Sequence, residues 1–185
     1  PNGLETVTVL AGLRNYLKGI AEVDYAKGCD IVDAGWPATE ILPAPMSEQE
    51  KQGIAEAVAK AGESDVIIAV LGEDEYRTGE SRSRTSLDLP GRQQQLLEAL
   101  HATGKPVILV LINGQPLTVN WANAYIPAIL ESWFPGCQGG TVIAETLFGE
   151  YNPGGKLTVT FPKSVGQIEL NFPFKPGSHG AQPHS

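Results

Sequence analysis

The chain has 185 residues, and its 13 Lys+Arg against 21 Asp+Glu give a formal net charge of −8, which excludes the basic footprint that nucleic-acid binding or adhesion to an anionic membrane requires. Hydrophobic residues at 42% with charged residues at 18% exclude disorder, and no apolar run approaches the roughly 18 residues that span a bilayer. One domain is expected, because a closed (β/α)8 barrel rarely forms below about 200 residues. The ends, Pro1-Asn2-Gly3 without Met or leader pattern and Gln182-Pro183-His184-Ser185, read as those of a fragment of a longer protein.

In chain order, Leu10, Leu13 and Leu17 predict a helix over residues 4–17, with Gly19 as its stop. Alternation over residues 23–26 predicts a short strand ended by Gly28. Three prolines between positions 33 and 45 predict an extended loop that separates two halves of the domain. Ser47 with Glu50 is a capping-box pair, and Ile54, Ala57, Val58 and Ala61 mark the buried stripe of a helix to about residue 60, stopped by Gly62. Residues 65–71 have no polar alternation, as in a strand buried on both faces of a parallel sheet. After a loop at 72–91, Pro90-Gly91 opens a helix carrying Leu96, Leu97 and Leu100, and Gly104 closes it. Residues 107–112 and 128–130 read as two further buried strands, Gly139-Gly140 leads into a helix to 148, and 156–161 alternate as an edge strand. This alternation predicts an α/β three-layer sandwich with a mainly parallel sheet and helices on both faces. Cys29 and Cys137 match no zinc or redox spacing and are expected as buried free thiols, with a disulfide between them left open.

In such sheets functional groups gather beyond the carboxyl ends of the strands, here in loops 72–91, 113–116 and 132–140. The first is long for a strand-to-helix connection, where about two to six residues are usual. It holds Glu73, Asp74, Glu75 and Glu80 with Arg77, Arg82 and Arg84. The plain reading is a solvated loop with surface ion pairs, each worth about 0–1 kcal/mol. The sharper reading is that one carboxyl serves as a general acid at a cleft, and the residues alone leave open which. His101, His179 and His184 lie near no Ser or Cys nucleophile, and neither G-x-G-x-x-G nor a P-loop pattern occurs, so triad and phosphate chemistry are not expected. Residues 152–156 read as a structural turn, and Trp133 as packing more than as a sugar platform.

Four ordered blocks carry a resemblance. They are E-x-x-x-R-x-x-L-x-L-P at residues 80–90, G-K-P-V-I-L-V-L-I-N-G-Q-P-L at 104–117, W-F-P-G-x-x-G-G at 133–140, and L-F-G-x-Y-N-P-x-G-K-L-x-x-x-F-P-x-S-V-G-Q-I at 147–168. With these the chain resembles the second domain of glycoside hydrolase family 3 β-glucosidases, most closely the bacterial periplasmic branch. The resemblance implies retaining hydrolysis of β-glucosides or oligosaccharides, with an Asp nucleophile on an N-terminal (β/α)8 barrel absent from this chain. It implies the general acid/base at Glu80, with Glu73 or Glu75 next in order, and Asp74, Glu75 and Tyr76 on the leaving-group side. Arg84 is expected to pair away from Glu80, with Asp88. No metal or organic cofactor, nucleic acid or membrane is implied, and the location implied is periplasmic or secreted. Residues 1–170 are read as the sandwich without its first strand, and 171–185 as a Gly/Pro-rich tail leading toward a missing C-terminal region. The chain alone is expected to be inactive. A non-catalytic carbohydrate-binding or structural domain is the alternative.

Overall fold

Residues 5–168 are described in the structure, a computed structural model. The elements are α1 (Val9–Tyr16), a 3₁₀ turn (Ala38–Glu40), α2 (Glu48–Glu63), β1 (Ile67–Gly72), α3 (Gln93–His101), β2 (Val107–Ile112), α4 (Asn120–Tyr125), β3 (Ala128–Glu131), α5 (Gly139–Leu147) and a second 3₁₀ turn (Val165–Gln167). The sheet is parallel in the order β1-β2-β3, with Ile67 opposite Val107 and Ile108 opposite Ala128.

Burial explains why β2 is apolar throughout. Val107, Leu109 and Leu111 point to one face and Val110 to the other, and all four are at most 1% exposed. The first face meets Leu96, Leu97 and Leu100 of α3 and Ala57 and Ala61 of α2. Burying a side chain such as Leu97 stabilises by about 1.5–3 kcal/mol. On the other side, α1 and α5 pack against each other, and the expected helices on both faces are present. Their crossing is set by Gly12 and Gly140: a Cβ on Gly12 would meet the Gly140 carbonyl, and one on Gly140 would meet the Thr8 carbonyl. The two backbones are also bonded directly, Val7 N–H to the Cys137 carbonyl at 2.8 Å and Gly140 N–H to the Val7 carbonyl at 3.1 Å.

The Ser47–Glu50 capping box forms in both directions. Helix α2 runs through Gly62 to Glu63, because a lone glycine weakens a helix by only about 1 kcal/mol. Helix α1 starts at Val9, where the Thr8 hydroxyl accepts from Ala11 N–H. Two expected strands do not form. Residues 23–26 and 156–161 are irregular, since alternation makes a strand only where a neighbour offers a ladder, and Leu157 and Val159 face solvent. The six-residue helix α4, without a side-chain cap, was not expected. The segment 33–45 does not separate two halves; it folds onto loop 72–91. The expected tail at 171–185, with His179 and His184, lies outside the described residues. Both cysteines are free and half-buried, and burial pushes the Cys29 thiol up to about 11.

Candidate active site

The three loops beyond the strand ends converge. A Cβ placed on Gly114 would lie 2.6 Å from Phe134 Cε2 and 2.8 Å from Thr78 Oγ1, so one glycine of the second loop touches both of the others. The same end of the sheet concentrates polar groups without partners. Five buried side-chain atoms among the described residues have no hydrogen-bond partner: Glu73 Oε2, Arg77 Nε, Asn113 Oδ1, Glu131 Oε2 and Ser132 Oγ. Each belongs to the last residue of a strand or to the loop that follows it. Such atoms are scarce in folded proteins, and those five gather at this end of the sheet.

Under the first loop lies a buried ionic core. The Arg84 side chain is 4% exposed and that of Glu73 is fully buried. Arg84 donates through Nη1 to Glu73, through Nε to Glu40 at 3.1 Å, and through Nη2 to the Asp88 carbonyl at 3.0 Å. Gln115 adds a donor to Glu73 at 2.9 Å, and Trp36 Nε1 and the Thr85 hydroxyl donate to Glu40 at 3.1 and 3.0 Å. Burial raises the Glu40 pKa, but these hydrogen bonds and the Arg84 charge outweigh it and hold the carboxyl below its usual range. The expected Arg84–Asp88 ion pair is corrected here: Arg84 uses the Asp88 backbone, while the Asp88 carboxylate accepts from the Thr118 hydroxyl. Arg77 stacks 4.8 Å from the Trp36 ring centroid and pairs with Asp74.

Glu80 sits at the opposite extreme of the same loop. It is exposed and, among the described residues, has no hydrogen-bond or ion-pair partner. Gly79 at φ 127° and Ser81 at φ 62° flank it, a pair of left-handed residues that turns the chain sharply at the tip. A positive φ at a non-glycine residue costs about 1–3 kcal/mol and tends to sit where function requires it. Arg82 does not approach Glu80: it donates to the Glu75 carbonyl and lies 5.6 Å from the Tyr76 ring centroid.

The other candidates divide. Asp74 pairs with Arg77 and accepts from Tyr76 N–H at 3.1 Å, so it fastens the loop. Glu75 and Tyr76 are exposed beside it, and Glu73 is an anchor rather than a free acid. Residues overlooked in the sequence are Glu40, remote in the chain from the loop it holds, and Glu131 at the end of β3. Burial raises the Glu131 pKa against hydrogen bonds from Trp133 N–H and Asn113. Trp133, at φ 49°, packs 5.9 Å from Phe161, which supports its reading as packing. Among the described residues no His, Cys, Asp and Glu are grouped to hold a metal, and no helix is long and apolar enough to cross a membrane.

Comparison with known proteins gives this arrangement its context. The chain is 45% identical over 175 residues to a periplasmic β-glucosidase of Salmonella typhimurium, covering 91% of this chain and 23% of the relative. It is 41% identical over 175 residues to a β-xylosidase of Formosa agariphila, covering 95% of this chain and 22% of the relative. The fold matches a β-glucosidase from Erythrobacter marinus at a TM-score of 0.78 and 39% identity, covering 91% of this chain and 24% of that one. A Listeria innocua β-glucosidase solved with gluconolactone matches at 0.77 and 31% identity, covering 96% and 22%. This chain therefore spans less than a quarter of each relative. The family model for the glycosyl hydrolase family 3 C-terminal domain matches residues 2–183, and a parallel sheet with its irregular chemistry confined to the strand ends is the setting of that match: the chain belongs to this family.

Proposed function

We propose that this domain supplies the general acid/base carboxyl, Glu80, to a retaining β-glucosidase whose Asp nucleophile lies on an N-terminal (β/α)8 barrel outside this chain. The observation that carries the reading is the isolation of Glu80: an exposed carboxyl at a sharply turned tip, with every arginine of the loop engaged elsewhere. Retaining hydrolysis needs two carboxyl groups about 5–5.5 Å apart, one ionised nucleophile and one proton donor. Docking of the tip against a barrel brings Glu80 beside the nucleophile and completes the carboxyl pair. Protonation of the glycosidic oxygen lets the leaving group depart as an alcohol while the nucleophile forms the glycosyl-enzyme. The same carboxyl, now ionised, then draws a proton from the water that hydrolyses it. Asp74 and Glu75 with Tyr76 form the leaving-group side, Asp74 by holding the loop and Tyr76 by offering an exposed ring. A periplasmic or secreted location accords with the Salmonella relative's name.

The sheet edge supports the fragment reading. Ile67 and Glu73 N–H groups bond toward β2, so the backbone groups of Ile68, Val70 and Gly72 face outward. The Gln93 side chain takes both groups of Gly72, at 2.7 and 2.8 Å, and closes that end. Ile68 and Val70 have no outward partner among the described residues. A groove of about 160 Å³ separates them from residues 24–28. We infer that the parent protein lays a strand there, which also gives residues 23–26 the neighbour they lack.

The test is Glu80→Gln in the full-length enzyme, assayed on a β-glucoside with an unactivated leaving group and on a dinitrophenyl β-glucoside. Loss of kcat/KM by about 10²–10⁴-fold on the first, with much less on the second, is expected. Equal loss on both removes Glu80 from the acid role. Sugar binding by the domain, without rescue of a separately made barrel, favours the non-catalytic alternative.

A further inference from the structure

Resting on the Glu80 reading, we propose that Arg84 is the positioning residue of that carboxyl: it ties the base of the loop to three separate segments, so that only the tip is left to meet the substrate. Its three guanidinium nitrogens are all engaged, each with a different part of the chain. Glu73 is fixed to the sheet, because its N–H bonds to the Ile112 carbonyl at 2.8 Å. Glu40 belongs to the 3₁₀ turn that Trp36 and Thr85 hold from either side. Asp88 is fixed to the segment after β2, through the Thr118 hydroxyl and through Thr118 N–H to the Leu87 carbonyl at 2.8 Å.

The tip therefore hangs between two bonded ends, and Arg84 is the side chain that holds both of them and the 3₁₀ turn together. The planar fork of arginine matches this three-way demand, which a lysine ammonium on a flexible stem meets poorly. Pairing with two carboxylates also occupies the Arg84 charge. A guanidinium free to swing toward Glu80 would pair with it and compete with the substrate for that carboxyl. Nothing in this arrangement requires Arg84 to touch substrate.

The test uses the full-length enzyme and the ratio of kcat/KM on unactivated and dinitrophenyl β-glucosides, with Glu80→Gln as reference. Arg84→Ala is expected to lower turnover on the unactivated substrate by about 10–100-fold, the scale of a displacement of about 1 Å at a catalytic group. It should leave kcat/KM on the dinitrophenyl substrate nearly unchanged, because that ratio reports the step in which the activated leaving group needs no proton. Added guanidinium ion should restore part of the ratio, and Arg84→Lys should fall between. Glu40→Gln removes one tie without stranding a buried charge and should shift the ratio in the same direction by less. If Arg84→Ala does not fold, Arg84→Lys and Glu40→Gln decide. An unchanged ratio in the folded variants, with a clear split in Glu80→Gln, overturns the positioning role and leaves the Glu80 reading standing. No split in Glu80→Gln overturns both.

Discussion

The base and the tip of one loop behave as opposites. At the base Glu73, Arg84 and Glu40 are almost wholly buried and bonded to one another. At the tip Glu80 has no partner among the described residues and lies between two residues of positive φ. Both regions are ionic and lie a few residues apart, so composition does not separate them. What separates them is which carboxylates found a guanidinium during folding. The buried group fixes a shape, and the exposed one keeps its chemistry available.

The largest expected effect breaks the tip: Glu80→Gln costs about 10²–10⁴-fold in turnover. Its thermal midpoint should stay with that of the parent, because an unpartnered surface carboxyl contributes within about 0.5 kcal/mol. Breaking the base should do the reverse for stability. Arg84→Met strands two buried carboxylates and should destabilise by about 3–5 kcal/mol in denaturant titration. A loss below 1 kcal/mol would mean that the buried core is not formed in solution. A control in the hydrophobic layer, Leu97→Ala, should cost about 2–5 kcal/mol, spread over the whole domain and not confined to the loop.

A finer test uses pH. The folded Glu40 carboxyl is held below its unfolded value, so its contribution is present above the ordinary carboxylate range, about pH 4.3, and is lost as pH falls through the lowered folded value. Stability measured between neutral pH and pH 3 should therefore fall less steeply in Glu40→Gln than in the parent. Parallel curves would contradict the assignment. The smallest effect is at Glu75, whose side chain is exposed: Glu75→Gln should change stability by less than about 0.5 kcal/mol.

The sheet edge offers a second contrast with the same logic. Gly72 has a side-chain partner in Gln93, whereas Ile68 and Val70 are open. Light scattering on the isolated chain should show self-association through that edge, and Ile68→Pro, which removes one outward donor, should reduce it. A monodisperse monomer would count against an open edge.

Much of the fold was legible because its signals are local. Continuous apolar runs marked β1 and β2, a capping box marked the start of α2, and leucines at helical spacing marked α3. That the three loops 72–91, 113–116 and 132–140 lie together was legible from topology, which puts the loops after parallel strands at one end of the sheet. What escaped was non-local. Glu40 is 44 positions from the arginine it pairs with, and no spacing rule joins them. Residues 23–26 have the pattern of a strand, but a strand needs a neighbour, and the pattern does not say whether one is present. Arg84 was rightly read as turned away from Glu80, yet its carboxylate partners come from the start of the loop and from a distant turn, because burial selects whichever acids the fold brings near.

The most direct measurement of the central claim is chemical rescue in the full-length enzyme. Glu80→Ala is assayed on a dinitrophenyl β-glucoside with and without azide, and the product is identified by NMR. Loss of the acid/base slows breakdown of the glycosyl-enzyme, and azide needs no base to attack it. Azide is expected to accelerate turnover and to give the β-glucosyl azide. No acceleration, or an azide of α configuration, would contradict it.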